Sequence, residues 1–393
     1  MSAISNDDRR CRDRSPGPWA RRVRRRTFVA GLATFVVAAC QSSPPPTPPP
    51  PAASPSLAAP PAAASAGVGV APSPSRPAAS PSPVASPSPV ALPSPSPSPA
   101  VEPPLALDAH PFAVMVDNIA EARPQSGLGA ADVVYEAPAE AGIPRLMPIF
   151  LRAGAEADWI GPVRSARHYF VYLANEYRTP LVHIGASPQG FAAFAETGLP
   201  DVDEARNDSG FTRDQHRLAP HNAFVRTGSI RASLEARAVQ TRPGTAGLTF
   251  GAYAAGPEPA TSVTIAYPGP ERYTVGYDYQ ADAGTYARSM DGQPHTDGVT
   301  GERYAARSVV VEYVDVEPIP GDPALRVEVS LVGAGKGLLV ADGTAVPLEW
   351  SKPSHRAATL FRRTDGQPFM LPAGQVWIQI VPLATEVEIA VRG

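Results

Sequence analysis

Polar residues in the middle of this 393-residue chain combine types that bind anions or transfer protons. Arg164 and Arg167 are three positions apart, so on a helix they would share a face, and guanidinium groups bind carboxylates and phosphates. His221 and nearby carboxylates are acid–base candidates, because such groups exchange protons with a substrate when correctly placed. The complete predicted ligand pocket has these members: Asp117, Asn118, Glu136, Arg164, Ser165, Arg167, Ser187, Gln189, His221 and Asn222.

Short apolar runs predict that residues 106–240 form a mixed α/β domain. Buried strands are expected at residues 111–117, 131–135, 145–151 and 181–184. Pro148 favours an edge position or a bulge for the third strand, because proline cannot donate a hydrogen bond to a neighbour. Helices are expected to begin near Pro162, and to cover residues 189–196 and 227–237.

The candidate residues lie where these elements would bring them together. In open α/β sheets, ligands bind at the carboxyl ends of strands, and five candidates follow predicted strands: Asp117, Asn118, Glu136, Ser187 and Gln189. Residues 161–167 would open the first helix, where free backbone N–H groups attract anions. This segment supplies Arg164, Ser165 and Arg167, and a loop adds His221 and Asn222.

Residues 260–393 have a different pattern, which predicts a mainly antiparallel β domain, either a sandwich or an open barrel. Runs rich in Val, Tyr and Thr alternate with Asp-Gly turns at positions 291, 342 and 365. Trp350 and Trp377 are expected in its core rather than in a ligand platform. The predicted fold class is therefore α+β, with the α/β domain first and the β domain second.

The first 39 residues have the features of a lipoprotein signal peptide. Arginines at 21–26 precede an apolar stretch at 27–39 that is too short to span a bilayer. The stretch ends Val-Ala-Ala-Cys, which resembles a lipobox and predicts that Cys40 is lipidated. Residues 25–29, Arg-Arg-Thr-Phe-Val, resemble a twin-arginine export motif. An ordinary secretory signal with additional arginines is the alternative.

The segment after Cys40 predicts a disordered tether. Residues 40–105 consist mainly of Pro, Ala and Ser, which cannot form a core. We therefore expect the protein on the extracytoplasmic face of the bacterial cell membrane, bound to it through Cys40. The other cysteine, Cys11, lies in the signal peptide, so the mature protein can form no internal disulfide.

Composition excludes some classes of function. The signal peptide carries nine arginines against three aspartates, so the remaining chain is more acidic than the overall charge of −3 indicates. Nucleic-acid binding is not expected, because it requires a basic surface. Residues 294–297, Pro-His-Thr-Asp, contain two metal-ligand types, but no further spaced ligands accompany them. We predict neither a metal site nor a cofactor.

Several stretches resemble the YerB-like lipoproteins, a bacterial family of unknown function. The resemblance is specific at residues 112–118, 123–128, 132–136, 161–167, 185–189 and 219–222, and looser at 294–297, 335–337 and 375–377. It implies two domains and a surface lipoprotein. It implies no reaction and assigns no catalytic residues.

Three hypotheses about function stay open at this stage. In the first, the pocket binds an anionic envelope component, either a glycan or a phosphate-bearing polymer. In the second, the protein is an envelope-directed hydrolase in which His221 or Glu136 acts as acid or base. The sequence lacks the common nucleophile and zinc motifs, and His183 is expected to be a core histidine. In the third, the protein is a scaffold for other exported proteins.

Overall fold

The computed structural model describes residues 107–206, 210–241, 244–269 and 273–391. The predicted signal peptide at 1–39, the predicted lipid anchor at Cys40 and the predicted tether up to residue 105 lie outside these residues, so those predictions remain untested.

Residues 107–241 form seven strands and three α-helices within the described ranges. The strands are β1 Leu107–Val114, β2 Val133–Pro138, β3 Pro144–Arg152, β4 Leu181–His183, β5 Asp201–Asp203, β6 Phe211–Arg213 and β7 Ala223–Val225. The helices are α1 His168–Glu176, α2 Pro188–Thr197 and α3 Thr227–Ala236. Short 3₁₀ turns lie at Ala120–Ala122, Leu128–Ala130, Glu140–Gly142 and Glu204–Arg206.

The described residues from 244 onward form fourteen strands. These are β8 Glu258–Pro259, β9 Ser262–Tyr267, β10 Tyr273–Gln280, β11 Thr285–Met290, β12 Gln293–Pro294, β13 Ala305–Ala306, β14 Ser308–Val314, β15 Val316–Pro318, β16 Val327–Val329, β17 Gly333–Ala341, β18 Thr344–Lys352, β19 Leu360–Arg363, β20 Val376–Pro382 and β21 Glu386–Ala390.

One large sheet contains strands from both parts of the chain. Its order is β19-β18-β17-β14-β20-β2-β3-β1-β4-β5, with β8 paired to β18. The two parts join where β2 pairs in parallel with β20, from Val133 opposite Val376 to Glu136 opposite Gln379. A second sheet has the order β12-β11-β10-β9-β21, with β13 paired to β11. The pairs β15-β16 and β6-β7 form two small sheets.

The large sheet is buried on both faces, which explains the near-continuous apolar runs. Side chains alternate along a strand, and in β1 Phe112 and Val114 enter one apolar cluster while Ala113 enters another. The first cluster also contains residues of α3 and the second sheet, and the second contains the apolar residues of α1. Trp350 and Trp377 are both buried, as predicted.

The α+β fold class predicted from the sequence is confirmed, but the edge position of Pro148 and the predicted start of the first helix were wrong. Strand β3 lies inside the sheet between β2 and β1, so Pro148 is not on an edge strand, although the β1–β3 register shifts between Leu107 and Phe112. Helix α1 begins at His168 and not near Pro162. The segment before it is extended, because its backbone pairs with distant segments through Val163 and Ala166.

Candidate functional site

Four of the predicted pocket residues line one cavity of about 270 Å³. Asp117 follows β1, Arg164 and Arg167 lie in the extended segment before α1, and His221 lies in the loop before β7. The other residues around the cavity are Ile119, Glu140, Ile143, Arg145 and Ala324. Ala324 comes from the loop between β15 and β16, so both parts of the chain contribute to this pocket.

Asp117 and His221 form a hydrogen-bonded pair at the pocket. Nδ1 of His221 lies 2.7 Å from Oδ2 of Asp117, and Oδ1 of Asp117 accepts the backbone N–H of Asn118 at 2.9 Å. Asp117 is almost completely buried, whereas His221 is partly exposed. The carboxylate therefore orients the imidazole, and Nε2 of His221 has no protein partner among the described residues.

Arg164 completes this group through an ion pair with Asp117, in which its buried Nε forms no hydrogen bond. Its Nε lies 3.0 Å from Oδ2 of Asp117, and its side chain is 25 % exposed. Within the described ranges, the two terminal nitrogens of Arg164 have no acceptor. These are the groups with which arginine forms bidentate contacts to carboxylates and phosphates.

Arg167 lines the same cavity but is held by protein groups. Its Nε and Nη2 contact Glu140, and its Nη1 donates to the carbonyl of Ala166 at 2.7 Å. Nη2 of Arg145 lies 2.8 Å from Oε2 of Glu140, whereas Arg167 contacts Oε1. Burial, assisted by the neighbouring charge of Arg145, lowers the pKa of the Arg167 guanidinium. Arg167 therefore belongs to an internal ion network more than to an open anion site.

The backbone at residues 161–167 is not the free helix N-terminus that the sequence predicted. The N–H groups of Val163, Arg164 and Ala166 donate to the carbonyls of Ala223, Met115 and Gly185. Because these N–H groups already donate to backbone carbonyls, they are not free to bind an anion. The sequence-based prediction that they would do so is wrong. Anion binding here would depend on side chains.

Glu136 and Asn118 do not reach the cavity, because both are completely buried in a separate network. Glu136 accepts hydrogen bonds from Arg288 at 2.7 Å and from Asn118 and Gln379 at 3.1 Å each. The hydrolase hypothesis had allowed Glu136 to act as an acid or base on a ligand in the pocket. Because its carboxylate is enclosed by these partners, Glu136 cannot do so.

The same network continues through His295. Nε of Arg288 donates to Nδ1 of His295 at 2.9 Å, so Nε2 carries the proton and donates to Oε1 of Gln125 at 2.7 Å. Gln125 in turn donates to Oδ1 of Asn118 at 2.9 Å, which closes a ring. Burial and the charge of Arg288 lower the pKa of His295 well below its ordinary value, which keeps the imidazole neutral.

Four other predicted residues lie away from the cavity lining. Ser187 caps α2 by accepting the N–H of Gly190 at 3.0 Å, and Asn222 accepts a hydrogen bond from Arg213 at 2.9 Å. The carbonyl of Ser165 accepts a hydrogen bond from Arg145, and the buried Oε1 of Gln189 has no partner among the described residues. Of the ten residues predicted to form the pocket, four line the cavity and six lie elsewhere.

Sequence reasoning missed Glu140 and Arg145 in the pocket, and Arg288 and Gln379 in the buried network. None of these four residues lies in a recognisable sequence motif. His183 is a core histidine as expected, since it is fully buried, 2.9 Å from the Gly185 carbonyl and stacked on Phe194.

The described ranges contain no group of three or more His, Cys, Asp or Glu residues placed to hold a metal ion. His295 and Asp297, the pair singled out in the sequence, are engaged by protein groups: Asp297 accepts from Gly127 at 2.7 Å and from Tyr304 at 2.9 Å. Among the helices described, none has the length and apolar character required to cross a membrane.

Comparison with known proteins agrees with the two-part organisation of the chain. Residues 98–240 match the model of the N-terminal domain of a protein family of unknown function, DUF3048, and residues 263–378 match the model of its C-terminal domain. The chain belongs to the DUF3048 family. The resemblance found in the sequence is thereby confirmed, including the two family domains.

This DUF3048 protein is similar to a Bacillus subtilis protein named "Putative lipoprotein YerB". The two are 34% identical over 280 residues, which cover 70% of this chain and 82% of the relative. The crystal structure of YerB from Bacillus subtilis matches with a TM-score of 0.61 at 32% identity, and the match covers 71% of this chain and 94% of that chain.

Proposed function

We propose that this DUF3048 protein is a lipid-anchored protein of the cell envelope that binds an anionic envelope component in the pocket around Asp117, Arg164 and His221. The lipobox-like residues before Cys40 and the name of the Bacillus subtilis relative support the anchor. The pocket supports the binding activity. The ligand class is an anionic glycan or a phosphate-bearing polymer.

The observation that carries the binding proposal is the partly engaged guanidinium of Arg164. Its Nε lies 3.0 Å from Oδ2 of Asp117 without forming a hydrogen bond, and its terminal nitrogens have no acceptor among the described residues. Arginine presents these two donors in a plane that fits two oxygens of a carboxylate or phosphate. The partner carboxylate fixes the side chain in advance, which reduces the entropy lost on binding.

Charge in the pocket also favours an anion. Three arginines, Arg145, Arg164 and Arg167, face two carboxylates, Asp117 and Glu140. A ligand with a single negative charge, such as a phosphodiester or a carboxylate, would therefore balance the residual positive charge.

Binding of purified cell-wall polymers to Arg164→Ala tests this proposal. Loss of a charge-assisted bidentate contact is expected to weaken binding roughly 10- to 100-fold. Stability should change little, because Arg164 has one ion pair and is partly exposed. Arg362→Ala is the matched control, since Arg362 is a 70 % exposed arginine in a surface ion pair with Glu349. Failure of the wild type to bind any anionic wall polymer would overturn the proposal.

A second candidate function, hydrolysis of the bound polymer, is favoured by the Asp117–His221 pair. When a carboxylate accepts the hydrogen bond from Nδ1, Nε2 is free to accept a proton. This is the arrangement of a histidine general base. The described residues around the cavity include no Ser, Thr or Cys, so water would be the nucleophile. In that case His221→Gln should abolish hydrolysis of the polymer while binding of the polymer persists. Hydrolysis by the variant at the wild-type rate would exclude this function.

A further inference from the structure

A second cavity, of about 530 Å³, lies between two distant stretches of the chain. It shares no lining residue with the pocket around Asp117. One wall comes from the segment between β3 and α1 and includes Asp158 and Trp159. The other comes from the loop between β12 and β13 and includes Thr300 and Glu302. Its volume is in the range of small-molecule sites.

Residues with little or no side chain form the base of this cavity. Gly127, Gly129 and Ala130 contribute mainly backbone there. At Gly127, φ is +83°, and a Cβ atom would lie 2.5 Å from the carbonyl oxygen of Trp159, so no other residue fits. This close approach holds the turn at residues 127–130 against the wall that carries Trp159.

Trp159 provides an aromatic surface with a free donor. Its ring is partly exposed, and the edge-on contact with Phe224, at 5.2 Å between centroids, fixes its orientation. The guanidinium of Arg226 lies 5.4 Å from the ring centroid. Among the described residues, the indole N–H of Trp159 has no acceptor, although a tryptophan N–H usually finds one when it is enclosed.

Two carboxylates at the cavity have no partner in the described part of the chain. Asp158 and Glu302 are exposed and form neither an ion pair nor a side-chain hydrogen bond there. The other acids are committed, because Glu156 binds Arg231 and Asp297 binds Tyr304. The cavity therefore offers an aromatic face, an indole donor and two free carboxylate acceptors.

We propose that this cavity binds a neutral oligosaccharide. A pyranose ring has an apolar C–H face that packs on an indole, and adjacent hydroxyl groups on its rim that donate to carboxylates. A third hydroxyl would accept the indole N–H of Trp159. The guanidinium of Arg226 lies over one face of the Trp159 ring, 5.4 Å from its centroid, so the sugar would pack on the opposite face.

The two sites would then have different ligands: the pocket around Asp117 an anionic group, and the Trp159 cavity a neutral sugar. The inference about the cavity does not depend on the proposed anion binding. Variants in each site therefore test the two proposals separately.

Titration of the full-length protein with a short N-acetylglucosamine oligomer, in a detergent without a sugar headgroup, tests the inference. We expect saturable binding that perturbs tryptophan fluorescence, with the fluorescence response lost in Trp159→Phe. Asp158→Asn with Glu302→Gln should weaken binding at least tenfold. Because neither carboxylate has a protein partner, these changes should leave the melting temperature unchanged.

Arg164→Ala serves as the control for the other site and should bind the oligomer as the wild type does. The inference is overturned if the wild type does not bind the oligomer, or if the Asp158 and Glu302 variant binds it with unchanged affinity. Displacement of the oligomer by millimolar spermidine would also overturn it, in favour of a cationic ligand.

Discussion

Nη2 of Arg288 donates to Oε2 of Glu136 at 2.7 Å, and neither side chain is accessible to solvent. Glu136 lies on β2 in the first family domain and Arg288 lies on β11 in the second. Each charge is stabilised by further polar groups, such as Gln379 for Glu136 and Tyr277 for Arg288. The ion pair thus connects the two family domains at a point where an unpaired charge would be costly.

Removing one charge of this pair is therefore expected to destabilise the protein. Glu136→Gln leaves Arg288 buried without a counter-ion, and the free energy of unfolding should fall by about 3–5 kcal/mol. Urea denaturation measures the change. Glu349→Gln is the matched control, because Glu349 forms an exposed pair with Arg362, and its loss should be below about 1 kcal/mol. Equal losses in the two variants would show that the buried pair is not stabilised as described.

The described parts of both family domains are expected to unfold together. Since β2 pairs with β20 along four residues and the Glu136–Arg288 pair lies beside it, neither part keeps its sheet intact if the other unfolds. Urea denaturation followed at Trp159, in the first part, and at Trp377, in the second, should give the same midpoint. Two separate transitions would instead support two independently folding domains.

Glu312 is expected to make stability depend on pH. Burial, and then the nearby charge of Glu176, raises the pKa of its carboxyl from 4.5 to about 8. Its contribution to stability is therefore fully present below pH 4.5 and is lost as the pH rises through 8, because the unfolded state loses the proton first. Glu312→Gln mimics the protonated form.

The measurement for Glu312 is the difference in unfolding free energy between Glu312→Gln and the wild type across this range. The variant should gain stability relative to the wild type between pH 5 and pH 9, by at most about 1.4 kcal/mol for each pH unit. A difference that stays constant with pH would mean that Glu312 does not titrate in this window.

Cys40→Ser is expected to release the protein from the membrane or to leave its signal peptide uncleaved. Acyl chains on Cys40 would supply the membrane affinity, and the rest of residues 40–105 offers few apolar side chains as a substitute. Detergent-phase partitioning compares the variant with the wild type, and Cys11→Ser is the control. Partitioning of Cys40→Ser into the detergent phase to the wild-type extent would contradict the lipoprotein assignment.

Local patterns in the sequence predicted the features that depend on neighbouring residues. Asp117 lies shortly after β1 and 2.7 Å from Nδ1 of His221, and the sequence had placed both residues in one predicted pocket. Helices α2 and α3 were located to within a residue or two. The pocket itself remains a proposal, because no comparison tests which residues bind a ligand.

Features that depend on distant pairing could not be predicted. Arg288 contacts Glu136 across 152 residues of sequence, and nothing in either local pattern specifies the partner. The same applies to the segment before α1, where Val163 pairs with Val116 and has its N–H bonded to the carbonyl of Ala223. The local sequence favoured an earlier start for helix α1. The long-range hydrogen bonds instead keep this segment extended.

The parallel pairing of β2 with β20 has a consequence for the newly made chain. Gln379 and Glu136 are 243 residues apart, so a ribosome must synthesise the chain through β20 before β2 meets this neighbour. Until then one edge of β2 is open, and open edges promote intermolecular pairing. Chains terminated before residue 376 are therefore expected to aggregate or to be degraded instead of persisting as a folded first domain.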